Sequence, residues 1–288
     1  MTLFAFDAEP HSTETHKKAP GKSSTRKPPK PDLGPLEVLL DHPSATAVMV
    51  DFDGTLAPIV ADPEEAKPVS GSSRALRDLA EVFGRVAVIS GRPASFLKQR
   101  LRAAGRSLHL FGLYGLEEVE DGEIRIDERV LPWLPTVAGA REAAERCAPS
   151  GAGLEDKTIS LTIHWRNAPE AERWALGFAQ SQSERVGLMC RVGRMSVELL
   201  PPIGVDKGTV VSNFAAGMHA ACYFGDDSGD LDAFSALDAL SLAGTSAVRI
   251  AVGASESPPE LIAAADLVVA DPEEVCLLLK ALALRAGG

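Results

Sequence analysis

Three short apolar runs in this chain each break off into a polar loop, and that feature restricts the fold more than any other. Ala47-Val48-Met49-Val50 runs into Asp51-Phe52-Asp53-Gly54-Thr55. Val86-Ala87-Val88-Ile89 runs into Ser90-Gly91-Arg92-Pro93, and Ala221-Cys222-Tyr223-Phe224 into Gly225-Asp226-Asp227. A run this short, apolar at every position, has no polar side to turn to water. It reads as a strand covered on both faces, as in a parallel sheet. Val248 to Val252 and Leu267-Val268-Val269 extend the set. Between the first two runs, Leu76, Leu79, Ala80 and Phe83 recur at helical spacing and stop at Gly84. Strands alternating with helices predict an α/β fold: a doubly wound, Rossmann-like parallel sheet.

The middle of the chain has another period. Ile159, Leu161, Ile163 and Trp165 alternate with Ser160, Thr162, His164 and Arg166, which describes a strand with one apolar and one polar face. Helical stretches flank it, roughly 137–147 and 171–183. A half-exposed strand does not belong inside a parallel sheet, so residues 118–202 are predicted to form an inserted α+β module. The main core is then discontinuous, 36–117 and 203–288. Residues 1–35 stand apart. Lys17, Lys18, Lys22, Arg26, Lys27 and Lys30 are spaced by prolines, serines and threonines with almost nothing to bury, so a disordered basic tail is expected.

Composition excludes some partners. With 288 residues and 45% hydrophobic content the chain can build one sizeable core and a smaller domain. A net charge of -11 argues against a nucleic-acid surface. No apolar run reaches the ~20 residues that span a bilayer, so no membrane partner is expected. Met1 to Pro10 contains Asp7 and Glu9 and does not read as a secretion signal. The 4 cysteines form no C-x-x-C pair, which suits reduced thiols and a cytoplasmic location.

Sites in open α/β sheets form at the carboxyl ends of the strands, where the polar loops fall. Lys207-Gly208 supplies a fourth cluster. Asp51 and Asp53, two apart after a strand, repel unless a cation or a shared proton intervenes. Asp226 and Asp227 bring more acid, and such hard oxygen ligands suit Mg²⁺. Phosphoryl transfer needs a nucleophile, charge neutralisation and a proton donor. Asp51 is the candidate nucleophile and Asp53 the candidate acid and base. Thr55, Ser90, Gly91, Arg92 and Lys207 are candidates to hold the phosphoryl oxygens.

These motifs together resemble the haloacid dehalogenase superfamily of phosphohydrolases. Asp51 to Leu56 matches its first motif, Ser90 the second, Lys207 the third, and Asp226-Asp227 with Asp230 the fourth. The resemblance implies Mg²⁺ held by Asp51, the Asp53 carbonyl and Asp226, with Asp227 and Asp230 behind them. It also implies a C2-type cap between the second and third motifs. A narrower resemblance is to trehalose-6-phosphate phosphatases, over roughly 48–234. It is carried by Asp51 to Val60, Ser90-Gly91-Arg92-Pro93, Leu154-Glu155-Asp156-Lys157, His164-Trp165-Arg166 and Gly225 to Asp230. It implies a sugar-phosphate substrate bound by Glu155, Lys157, Glu198 and the hinge residue Glu117. It also allows a functional pairing with a trehalose-6-phosphate synthase. Tyr114 stands where that family commonly has histidine. The other class left open is a phosphatase of another sugar phosphate or a non-catalytic phosphosugar-binding regulatory subunit. Such a binder would be free to lose Asp51 or Asp53, and both are present.

Overall fold

A computed structural model describes residues 33–60, 62–101, 107–193, 195–253 and 257–287. The elements run β1 (Thr46–Val50), α1 (Ser72–Ala80), β2 (Arg85–Ile89), α2 (Ala94–Arg100), β3 (Leu108–Gly112), β4 (Glu117–Glu120) and β5 (Glu123–Ile126). Then come α3 (Leu134–Cys147), β6 (Gly153–Asp156), β7 (Leu161–His164), α4 (Glu172–Val186), β8 (Met189–Gly193) and β9 (Ser196–Leu200). The chain closes with α5 (Lys207–Phe214), β10 (Ala220–Gly225), α6 (Leu231–Leu242), β11 (Ser246–Val252), α7 (Pro259–Ala264), β12 (Leu267–Val269) and α8 (Pro272–Ala286).

The strands form two sheets, one of eight in the order β12-β11-β10-β1-β2-β3-β4-β5 and one of four in the order β6-β7-β9-β8. From β12 to β3 every pairing of the large sheet is parallel. Every residue of β1 and of β10 is buried, as their unbroken apolar runs require. Alternate side chains serve opposite faces. Val48, Val50, Val86, Val88 and Phe224 pack with Leu76 and Leu79 of α1 and Leu279 and Leu282 of α8. Ala47, Met49, Ala87, Ile89 and Tyr223 pack with Val211 of α5 and Phe234 and Leu237 of α6. The sheet is therefore wound on both faces. With β10, β1 and β2 adjacent and parallel, the loops after them lie side by side at one end.

Two sequence expectations shift. Residues 117–126 lie in the large sheet rather than in an inserted module starting at 118, because β4 pairs antiparallel with β3 and β5 with β4. The turn between β4 and β5 is Asp121-Gly122, both at positive φ (51 and 84), the two-residue arrangement that suits a tight hairpin. The folded part also begins earlier than residue 36, since Leu33 is 1% exposed and packs in the core. The expected disorder of the tail otherwise lies outside the described residues.

The four-stranded sheet is antiparallel throughout. Its apolar face carries Leu161, Ile163, Val197 and Leu199 and is covered by Val137, Ala140 and Ala144 of α3 and Ala175 and Ala179 of α4. Its polar face is not left to solvent, as the alternation had suggested. Ser160 and Thr162 are buried, because that face is turned toward a cavity shared with the large sheet.

Candidate active site

The loops after β1, β2 and β10 meet in a cavity of about 390 Å³. Asp51, Asp53, Ser90, Gly91, Arg92, Asp226 and Asp227 line it from the large sheet, and Glu155, Lys157, Thr162, His164, Arg191 and Glu198 from the small one. Lys207 also lines it, from the head of α5 rather than from a strand end, where Asp206 caps the helix by accepting from the Thr209 N–H.

Asp51 is 3% exposed and anchored by its N–H, which donates to the Phe224 carbonyl at 2.9 Å. The buried Lys207 ammonium donates to Asp51 Oδ1 at 2.8 Å and to Asp230 Oδ1 at 2.7 Å. Burial pushes the Asp51 carboxyl well above its usual range, with Lys207 opposing. Burial acts downward on Lys207, yet Asp230 and Asp51 outweigh it and hold the ammonium well above its ordinary value.

Asp230 is fully buried and uses both carboxylate oxygens. Oδ1 also accepts from the Tyr223 hydroxyl at 2.7 Å, and Oδ2 accepts from the Asp226 and Asp227 N–H groups at 2.9 and 3.1 Å. It fixes the loop after β10. One carboxylate oxygen each of Asp51, Asp226 and Asp230 lie within 4.8 Å of one another. Asp51 and Asp226 line the cavity and Asp230 does not, so Asp51 and Asp226 are the pair placed to meet a cation there. A Cβ on Gly54, whose φ is +80, would fall 2.0 Å from Asp226 Oδ2, so only glycine lets the two loops close to this distance. Two buried carboxylates facing an open cavity are a donor set that fits Mg²⁺, which takes few carboxylates and keeps waters.

Asp53 is clamped. The Arg92 Nε and Nη2 donate to Asp53 Oδ2 and Oδ1 at 2.7 and 2.9 Å, a bidentate pair. Arg92 was expected at the phosphate, and here its partner is the candidate acid. Its guanidinium also lies 4.7 Å over the Phe96 ring. Ser90 is buried, and its Oγ accepts from the Arg92 N–H at 3.2 Å. Thr55 departs from expectation. It is fully buried away from the cavity lining, and its hydroxyl has no hydrogen-bond partner among the described residues.

On the small sheet, Lys157 Nζ donates to Glu198 Oε1 at 3.2 Å and to the Gly91 carbonyl at 3.1 Å, tying the two sheets together. Ser160 donates to Glu198 Oε1 at 2.6 Å, and Glu155 Oε2 lies 2.8 Å from His164 Nε2. Burial works upward on Glu155, but His164 and Lys157 bring it down to about 2. Tyr114, absent from the site residues expected from sequence, lines the cavity with its ring against Gly91. A Cβ there would sit 2.7 Å from its hydroxyl, and burial lifts the phenol to about 12. Glu117 is elsewhere. Its Oε2 accepts from the Ala94 N–H at 2.7 Å at the head of α2, and it does not line the cavity. Ser160 and Arg191 were missed because their partners are distant in sequence.

The trehalose-phosphatase family model matches residues 49–271. A trehalose-phosphate phosphatase of Mycolicibacterium paratuberculosis is 33% identical over 207 residues, which are 68% of this chain and 51% of that protein. An uncharacterized glycosyl hydrolase of Mycobacterium tuberculosis is 34% identical over 66% of this chain and 15% of its own length. The chain thus spans about half, or less, of these relatives. The solved C-terminal domain of Candida albicans trehalose-6-phosphate phosphatase superposes with a TM-score of 0.68 at 23% identity, over 87% of this chain and 96% of that one.

Proposed function

This chain belongs to the trehalose-phosphatase family, and from that premise we propose that it hydrolyses trehalose 6-phosphate to trehalose and phosphate in a Mg²⁺-dependent reaction. The observation that carries this reading is one cavity with two unlike walls. Asp51, Lys207 and Asp226 stand on one side, and Glu155, Lys157 and Glu198 on the other. The first wall suits a phosphoryl group, the second the hydroxyls of a sugar.

In this reading the Asp51 carboxylate attacks phosphorus, and the bond from phosphorus to the sugar oxygen breaks as an aspartyl-phosphate forms. Asp53 gives a proton to the departing oxygen, then takes one from the water that splits the aspartyl-phosphate. Asp53 can serve only once Arg92 releases one of its oxygens, and the incoming phosphate offers the guanidinium another anion. Lys207 holds Asp51 in place and counters the charge that burial disfavours. Ser90, the Gly91 backbone and Lys207 are the remaining phosphate contacts. Asp51, Asp226 and the Asp53 carbonyl would hold Mg²⁺, which when bound offsets negative charge between Asp51 and the phosphoryl group. The module from about 127 to 202 acts as a cap that closes over substrate and excludes water. Its Lys157 contact with Gly91 is a closed-state tie.

Replacing Asp51 tests the reading. Asp51→Asn is expected to lower phosphate release by about 10³-fold or more while the chain keeps a cooperative melting transition. Retained turnover in a normally folded variant would remove Asp51 as nucleophile.

A further inference from the structure

The small sheet presents a line of side chains that crosses all four of its strands. Its register sets Glu155 of β6 opposite Thr162 of β7, Thr162 opposite Glu198 of β9, and Glu198 opposite Arg191 of β8. Residues directly opposite share a face, and all four line the cavity. With strands about 4.8 Å apart the row is roughly 14 Å long, more than one pyranose ring occupies. The proposed function uses Glu155 and Glu198 and gives Thr162 and Arg191 nothing to do.

Both nevertheless hold hydrogen-bonding capacity in reserve. Thr162 is 4% exposed, and its Oγ1 is buried with no partner among the described residues. Arg191 Nη1 is in the same state. Arg191 is not loose, since its Nη2 donates to the Val205 carbonyl at 3.3 Å and its guanidinium lies 3.8 Å over the Tyr114 ring. Tyr114 keeps φ at 61, a left-handed conformation uncommon for a side chain of its size, and its ring lies beneath that guanidinium. Chemically the row alternates. Glu155 and Glu198 only accept, Arg191 only donates, and Thr162 does both. A run of sugar hydroxyls, each donor and acceptor at once, complements such an alternation.

We infer that Thr162 and Arg191 bind hydroxyls of the sugar, as specificity-determining residues of the same site. The inference rests on reading this chain as a sugar-phosphate hydrolase. The test is steady-state kinetics of the full chain and its Thr162→Val, Thr162→Ser and Arg191→Gln variants. Trehalose 6-phosphate is the substrate, and inorganic phosphate the competitive inhibitor. Thr162→Val and Arg191→Gln are expected to raise KM about tenfold and to leave the inhibition constant of phosphate unchanged. Thr162→Ser, which keeps the hydroxyl, is expected to retain the original KM. Unchanged KM values in variants of an active enzyme would overturn the inference and leave the proposed function standing. A parallel weakening of phosphate inhibition would overturn it in favour of a purely structural role. A full chain that turns over no sugar phosphate would remove the proposed function and this inference together.

Discussion

At Lys207 two effects of opposite sign meet. Burial disfavours the ammonium, and Asp230 and Asp51 favour it more strongly. Removing the charge would leave two buried carboxylates with no cation between them. Lys207→Met is therefore expected to cost about 3–5 kcal/mol of stability, read by chemical denaturation in the presence of EDTA. Equal stability would mean that the three groups are not coupled. Glu155 shows the other direction of shift. His164 and Lys157 hold its carboxyl at about 2, below the ordinary 4.5, so its ionised form stabilises the fold above that ordinary value. The gap in stability between the parent chain and Glu155→Gln should be full above pH 4.5 and close as pH falls toward 2. A gap that stays constant over that window would break the link. Asp51, Asp226 and Lys207 were legible in the sequence because their motifs carry chemistry in the residue types themselves. The Arg92 clamp on Asp53 was not, because it joins residues 39 apart in the chain.

Among the elements, the buried strands were the most legible, since a run apolar at every position admits few other structures. Two readings failed for physical reasons. The hairpin of β4 and β5 is polar along much of its length, so its only local signal was Asp121-Gly122. The polar face of β7 was taken as solvent-facing, because alternation marks the two sides of a strand without saying what covers them. Glu117 belongs at this scale too. Its carboxylate satisfies a buried N–H at the start of α2, and burial raises its pKa. Glu117→Ala is expected to lower stability by about 1–3 kcal/mol and to leave KM unchanged, as urea titration and kinetics would show. A raised KM with unaltered stability would instead make Glu117 a sugar contact.

Among the described residues a mainly parallel α/β sheet and a smaller antiparallel sheet line one cavity, and the proposed function assigns chemistry to the first and selectivity to the second. The four cysteines are not paired with one another in the fold. Among the described residues no helix is long and apolar enough to cross a membrane. The overall charge of -11 carries into the cavity, where Arg92, Lys157, Arg166, Arg191 and Lys207 stand beside eight carboxylates, so the proposed anionic substrate needs the added charge of the proposed cation. Asp51 and Asp53 began as a turn-like pair of acids. The fold sets Asp51 against Lys207 and Asp53 against Arg92, and the proposed roles of nucleophile and acid build on those contacts. The most direct measurement is phosphate release by the intact chain from trehalose 6-phosphate, glucose 6-phosphate and sucrose 6-phosphate, each with Mg²⁺ and with EDTA. The account predicts the highest kcat/KM for trehalose 6-phosphate and loss of release in EDTA. Faster turnover of either other sugar phosphate, or release that persists in EDTA, would contradict it.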